Sequence, residues 1–269
     1  MNKRLCCTLL LVFTVVFIAF SQKNIGSQAW TFKDYSLEET LEKISALGLK
    51  KIEMFPKQRF SRVDSTLTSY KMPKSQLVKL KALLKKYKVK VVSYGVISLK
   101  KEKDWIHLFE FAKDMKIKTI ITEPAQDQIA TIDKLCKQYK IYASIHNHAK
   151  PKRHWWNPAN VKQGLIGRSK YLGVCADVGH WKRSNLDVTA SLKLLKGKIT
   201  ELHIKDVNKP SSKGKPVPLG TGIINWENVF NELNRQKFKG NYIIEHTAKK
   251  SVLIKELQHN IAFLKTYIK

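Results

Sequence analysis

From residue 28 onward the chain alternates strand-like and helix-like segments about eight times, with no Pro/Gly-rich linker and no low-complexity tract between them. Strict alternation of this kind argues for a parallel sheet with helical crossovers. QAWTF (28–32) reads as the first strand, and the capping box Ser36-Leu-Glu-Glu39 opens a helix that Gly48 stops. KKIEMF (50–55), VKVVSYGV (89–96) and IKTIITE (117–123) read as the next three strands. Helices are expected at SQLVKLKALLKKYK (75–88), capped by Ser75, at 103–116, at 127–139, and later near 187–196, 226–236 and 250–267. Apolar stretches such as VVSYGV and GVCA suit strands covered on both faces. An open doubly wound sheet would carry a Gly-rich phosphate loop after its first strand, and none follows Phe32. The expected fold is therefore α/β, a single (β/α)8 TIM barrel over residues 22–269, whose length suits it.

Residues 1–21 read as a signal peptide. Lys3 and Arg4 are basic, Leu5 to Phe20 are apolar or small, and Ala19-Phe20-Ser21 offers a small-x-small cleavage site. The protein is expected to be exported, periplasmic or secreted, with no membrane contact after cleavage. Removing the leader removes Cys6 and Cys7. Cys136 and Cys175 remain, each in an apolar run, so buried free thiols are expected rather than a disulfide scaffold. The formal net charge is +29. Such a field attracts nucleic acid, anionic membranes and acidic glycans. The lysines, however, spread over nearly every segment, as in LVKLKALLKKYKVK (77–90), and read as solvated side chains rather than one patch. No nucleic-acid partner is expected.

Four segments, IYASIHNHAK (141–150), YLGVCADVGHW (171–181), ITELHIKDV (199–207) and YIIEHT (242–247), are apolar strand-length runs ending in metal-ligand side chains. A parallel barrel brings all strand C-termini to one rim. His146 and His148 share a strand face, as do His203 and Lys205. Asp177, His203 and Glu245 are the clearest candidates for a divalent ion, with His146 or His148 as the fourth ligand. Imidazole and carboxylate ligands with open positions make a Lewis acid for carbonyl or vicinal hydroxyl oxygens. Such ligands do not choose sharply among manganese, cobalt, zinc and magnesium.

Two long connections should border the site. HAKPKRHWWNPANV (148–161) presents Trp155 and Trp156, which suit stacking on a sugar ring, although one of them could simply pack the loop. NKPSSKGKPVPLGTGIINW (208–226) has the Ser/Gly/Pro/Lys content of a mobile flap.

CADVGHW (175–181), LHIKDV (202–207), PLGTGIINW (218–226) and YIIEH (242–246) make the chain similar to the xylose isomerase-like TIM barrel superfamily over essentially its whole mature length. That superfamily includes sugar-phosphate isomerases, ketose 3-epimerases, inosose and dehydroshikimate dehydratases, and metal-dependent AP endonucleases. The resemblance implies a metal set of Glu, Asp, His and Glu at the ends of strands five to eight. The last three fall on Asp177, His203 and Glu245, while His146 stands where the first Glu is usual. A His-x-His strand looks more like the inosose dehydratase branch than the epimerases. Glu123 could restore the missing carboxylate as ligand or base, Glu53 could bind substrate hydroxyls, and Lys205 could stabilise an enolate. His148 and His180 complete the expected catalytic set.

The implied activity is metal-dependent enolisation of a small-molecule keto-sugar or keto-glycoside, giving isomerisation, epimerisation or β-elimination. An AP endonuclease-like phosphodiesterase is the alternative. KKIEMF and VVSYGV lack the extra histidines of that chemistry, and KPVPLGTG (215–222) lacks its Asp-x-His. A non-catalytic sugar-binding barrel would require a degenerate metal site.

Overall fold

The computed structural model describes residues 24–151 and 154–268, so the expected leader lies outside the described residues. Strands β1 (Ile25–Gln28), β2 (Lys51–Met54), β3 (Lys90–Ile97), β4 (Thr119–Thr122), β5 (Tyr142–His146), β6 (Leu172–Asp177) and β7 (Ile199–Ile204) follow one another around a barrel. Two short strands, β8 (Asp206–Val207) and β9 (Pro216–Val217), form a side ribbon, and β10 (Asn241–Ile244) closes the barrel between β7 and β1. All eight barrel pairings are parallel. The single (β/α)8 barrel expected from the alternation is the fold observed.

The outer layer consists of α1 (Leu37–Ala46), α2 (Lys74–Lys86), α3 (Glu102–Asp114), α4 (Ile129–Tyr139), α5 (Pro158–Gly164), α6 (Val178–Arg183), α7 (Val188–Leu194), α8 (Trp226–Arg235) and α9 (Lys250–Tyr267). Their inner faces supply Leu41, Leu80, Trp105, Phe109, Leu192, Phe230 and Leu257 to one core shared with Ile52, Ile120, Val174 and Ile244 of the strands. Ser36 and Glu39 form the expected capping box on α1, and Gly48 takes the left-handed φ of 75° that ends it. Among the described residues no helix is long and apolar enough to cross a membrane. Cys136 and Cys175 are free and buried, and burial pushes the Cys136 thiol up to about 12.

Three local expectations are corrected. The first strand is Ile25–Gln28, and Ala29–Phe32 is a 3-10 turn, because the Gln28 side chain accepts from the Trp30 amide and ends the strand there. Helix α2 begins one residue before Ser75, with Pro73 at the N-cap, so the Ser75 hydroxyl is already past the capping position. The connection 208–226 is pinned rather than free. The buried Asp206 carboxylate accepts from the amides of Gly220 (3.0 Å) and Gly222 (3.1 Å) and from Trp226 Nε1 (2.8 Å). Asn260 Oδ1 accepts from the Leu219 amide at 2.8 Å. The polar composition of that loop reflects backbone groups aimed at one buried anion. Gly222 is needed there, since a Cβ would stand 2.1 Å from Asp206 Oδ1.

Beneath the rim the barrel interior holds Glu201, which accepts from Ser93 Oγ at 2.7 Å and Asn241 Nδ2 at 3.1 Å. Burial, reinforced by the nearby Glu53 carboxyl, pushes Glu201 up to about 8.

Two outcomes follow. Asp206→Ala strands several buried donors, so chemical denaturation should show a loss of about 3 kcal/mol or more. Glu201 holds a proton in the folded state that the unfolded chain has released between its ordinary carboxyl range and about pH 8. Stability therefore falls as pH rises through that window. Glu201→Gln should flatten this decline in urea titrations between pH 5 and pH 8.

Candidate metal centre and cavity

The C-terminal ends of the strands build the site. Asp177 ends β6 and caps α6, accepting from the His180 amide through Oδ1 at 2.8 Å, which leaves Oδ2 aimed at the barrel axis. Asn147 fixes the Asp177 backbone from both sides, Oδ1 accepting from its amide and Nδ2 donating to its carbonyl, each at 2.9 Å. Strand register sets His203 opposite Asp177, and β10 leads directly into Glu245.

His146, Asp177, His203 and Glu245 each offer one ligand atom, all within 4.8 Å of one another. Asp177 Oδ2 lies 3.7 Å from His146 Nε2 and 3.9 Å from His203 Nδ1, and His203 Nδ1 lies 3.0 Å from Glu245 Oε2. Donors bound to one ion at ~2.0–2.2 Å stand roughly 3–4 Å apart, so the spacing suits a shared cation. His146 Nε2 and His203 Nδ1 are buried without a hydrogen-bond partner. The 3.0 Å approach to Glu245 is short but lies outside hydrogen-bond geometry. Two orphaned imidazole nitrogens converging with two carboxylate oxygens could hold a metal ion.

The opposite ring nitrogens support the same reading. His146 Nδ1 donates to Glu123 Oε1 at 2.8 Å, and His203 Nε2 donates to Glu53 Oε2 at 2.6 Å. Each bond fixes a tautomer and turns the free nitrogen toward the centre, the usual support of metal-binding imidazoles. Burial works against a charged His203, yet Cys175, Glu53 and Glu245 around it raise it well above its ordinary value. Burial likewise opposes ionised Asp177 and Glu245. His180, Lys205 and His146 outweigh it at Asp177, and Lys205 and His203 at Glu245, so both carboxyls lie well below their usual range. The cluster attracts more positive charge than Lys205 brings.

The remaining candidates take defined places. Glu123 bonds both His146 and His148, and these bonds overcome burial to hold its carboxyl at about 2. It lies behind the rings rather than among the four converging ligand atoms. Glu53, 0% exposed, sits behind His203 and accepts from Gln28 Nε2 at 3.1 Å, so it supports a ligand instead of meeting substrate hydroxyls. Lys205 donates to Asp177 Oδ2 at 3.0 Å and Glu245 Oε1 at 2.8 Å, which ties its ammonium to the carboxylates. His180 is buried, and burial lowers it well below its usual value. His148, its side chain 36% exposed, lies with ring centroids 4.9 Å from His146 and 4.8 Å from His180.

A cavity of about 650 Å³ opens over this cluster, lined by His146, His148 and Glu245 and walled by Gln28, Trp30, Phe55 and Val96. Lys33, Asp34 and Lys57 ring its entrance. The aromatic wall is therefore Trp30 and Phe55, edge to face at 5.3 Å, not the tryptophan pair of the long loop. Trp155 is buried, donates through Nε1 to the Pro124 carbonyl at 2.7 Å and packs its loop, while Trp156 lies under the Lys150 ammonium. Trp30 is not singled out in the sequence because a strand over 28–32 puts it mid-strand; with the strand ending at Gln28, the following turn carries Trp30 to the mouth.

Equilibrium dialysis of the purified chain should show bound divalent ion that Asp177→Ala abolishes. Glu53→Gln should retain the ligands yet weaken metal affinity by about 10–100-fold, as removal of an orienting carboxylate does. Full metal occupancy in Asp177→Ala would refute the centre.

Comparison with known proteins agrees with the fold. A crystal structure of a putative uncharacterized protein from Parabacteroides distasonis ATCC 8503 is 33% identical, covers 90% of this chain and 98% of its own, and superposes with a TM-score of 0.74. A crystal structure of the IolI protein with a bound zinc atom shares the fold at 14% identity, with a TM-score of 0.70 over 91% of this chain and 98% of that one. The putative L-ribulose-5-phosphate 3-epimerase SgbU of Escherichia coli (strain K12) is 29% identical over 87 residues, a stretch of 31% of this chain and only 30% of that protein. The family model for the xylose isomerase-like TIM barrel matches residues 41–267, and the chain belongs to that family.

Proposed function

We propose that this protein is a metal-dependent enzyme acting on a keto-sugar or keto-glycoside, and that it eliminates a β-substituent after enolisation. The observation that carries the reading is the placement of His148. It faces the cavity beside the four-ligand cluster, and its Nδ1 is bonded to Glu123. The family's sugar isomerases and epimerases, among them the E. coli relative, support the substrate class. The zinc of the IolI structure supports a metal.

A divalent ion held by His146, Asp177, His203 and Glu245 would supply Lewis acidity toward a carbonyl and its neighbouring hydroxyl. The chain's own residues do the rest. Trp30 and Phe55 present an apolar wall to a sugar face, and Gln28 offers an amide beside it. Glu123 orients the His148 ring so that Nε2 is free toward the cavity, where it donates a proton to a departing oxygen. His180 lies beside His148, its ring tilted by 42° at a centroid distance of 4.8 Å, and is the adjacent imidazole able to take the proton from carbon. Lys205 holds the Asp177 and Glu245 carboxylates in register, its ammonium engaged by them rather than turned toward an enolate. Expelling a hydroxyl or alkoxide needs an acid, whereas epimerisation does not, so a His at this position favours lyase or dehydratase chemistry.

Incubation with keto-sugars and 3-keto-glycosides in deuterated water tests this directly by NMR. Deuterium should appear beside the carbonyl, together with an unsaturated product. His148→Ala should keep the exchange and lose product formation by roughly 10²–10⁴-fold. Loss of both together would make His148 the base or a ligand and remove the case for elimination.

A further inference from the structure

Seven connections run from the end of a helix to the start of the next barrel strand: 47–50, 87–89, 115–118, 140–141, 165–171, 195–198 and 236–240. Every one carries at least one lysine, and none contains an Asp or Glu. All seven lie on the N-terminal face of the barrel, opposite the cavity mouth. The linear sequence spreads its lysines through every segment, and the fold gathers this subset on one surface. The mouth is different in kind, with Asp34, Glu123, Asp206 and Glu245 among its cations.

Two structural details distinguish this surface from lysines that merely keep a protein soluble. Lys88, Lys116, Lys140 and Lys237 adopt left-handed φ values of 54–56° directly after helices, where glycine is the unstrained choice. A helix dipole favours a cation there, but it does not account for the second set, which sits at strand entries. Lys118, Lys170, Lys198 and Lys239 surround a hollow of about 490 Å³, with Tyr142 and Thr200 in its wall. None of these four lysines forms an ion pair among the described residues. The hollow thus concentrates positive charge with no internal counter-charge.

The seven connections spread this charge across one whole end of the barrel rather than along a single groove, and a broad basic face without acidic partners is the electrostatic complement of an acidic bilayer surface. We propose that the N-terminal face of the barrel docks on an anionic lipid bilayer, the central hollow receiving an acidic headgroup, so that the cavity mouth faces away from the membrane. This departs from the expectation of no membrane contact after leader removal, and it is independent of the reaction catalysed at the other end.

The test is vesicle flotation of the full chain, with phosphatidylcholine vesicles either pure or mixed with phosphatidylglycerol, at low and at physiological salt. The chain should float with acidic vesicles, less so as salt rises. A variant combining Lys118→Gln, Lys170→Gln, Lys198→Gln and Lys239→Gln should lose at least about tenfold in partition onto acidic vesicles. A variant with the same charge change elsewhere, Lys100→Gln, Lys101→Gln, Lys103→Gln and Lys249→Gln, should stay within about twofold of the parent. Circular dichroism of both variants confirms that these surface substitutions leave the fold intact. Equal binding to neutral vesicles would make the attachment independent of charge and overturn the proposal. Equal losses in the two variants would reduce it to net charge. Retention on heparin or DNA at physiological salt without vesicle binding would assign the face to another polyanion and overturn it as well.

Discussion

Asp177 Oδ2 is the point on which the mouth of this barrel converges. A carboxylate that is 0% exposed is costly unless cations or donors surround it, and here they come from four directions. Lys205 donates to it, His146 Nε2 and His203 Nδ1 approach it within 4 Å, and His180 stands 3.8 Å away. These groups belong to strands β5, β6 and β7, the residue that follows β7, and helix α6. Their meeting depends on the parallel register that sets His146 beside Cys175 and Asp177 beside His203. A register slip of one residue would turn these side chains away from the barrel interior. The rim chemistry therefore rests on strand pairing across the whole barrel.

Around that point the structure repeats one device. A carboxyl group stands behind each converging imidazole, Glu123 behind His146 and Glu53 behind His203, and Glu123 extends the same service to His148. Inside a dry barrel such bonds are strong and directional, and they fix ring orientation before any ligand arrives. The cluster accordingly carries more acid than its single ammonium balances, a condition that a bound cation relieves. The same reasoning separates the roles of the two histidines in the His-x-His strand. His146 is enclosed and aimed inward, while His148, one strand period further on, reaches the cavity.

The two ends of the barrel differ in how they treat charge. At the mouth, acids and bases are paired and largely buried, which permits exact placement of individual protons. At the opposite end, lysines stand without acidic partners around a solvent-facing hollow. A net charge of +29 is consistent with either pattern, and composition alone cannot separate them. The distinction arises because every helix-to-strand connection of a parallel barrel ends on the same face.

The sequence alone determined the architecture. Alternating segments with apolar strands admit few solutions, and the ligand types at strand ends pointed to the rim and to Asp177, His203 and Glu245, leaving His146 or His148 as the fourth; the tertiary structure brings His146 into the convergent group. It also determined local punctuation such as the capping box at Ser36 and the stop at Gly48. What it did not determine were contacts between residues far apart in the chain. Glu53 meets His203 across 150 positions, Lys205 turns out to be bound to two carboxylates, and Trp30 rather than Trp155 faces the cavity. The pinned loop after β7 belongs to the same class, since its polar composition reads as freedom until the buried carboxylate of Asp206 is seen to collect its amides. Local propensity acts over a few residues, whereas the partner of a buried polar group is chosen by closure of the barrel, and only the tertiary structure decides that.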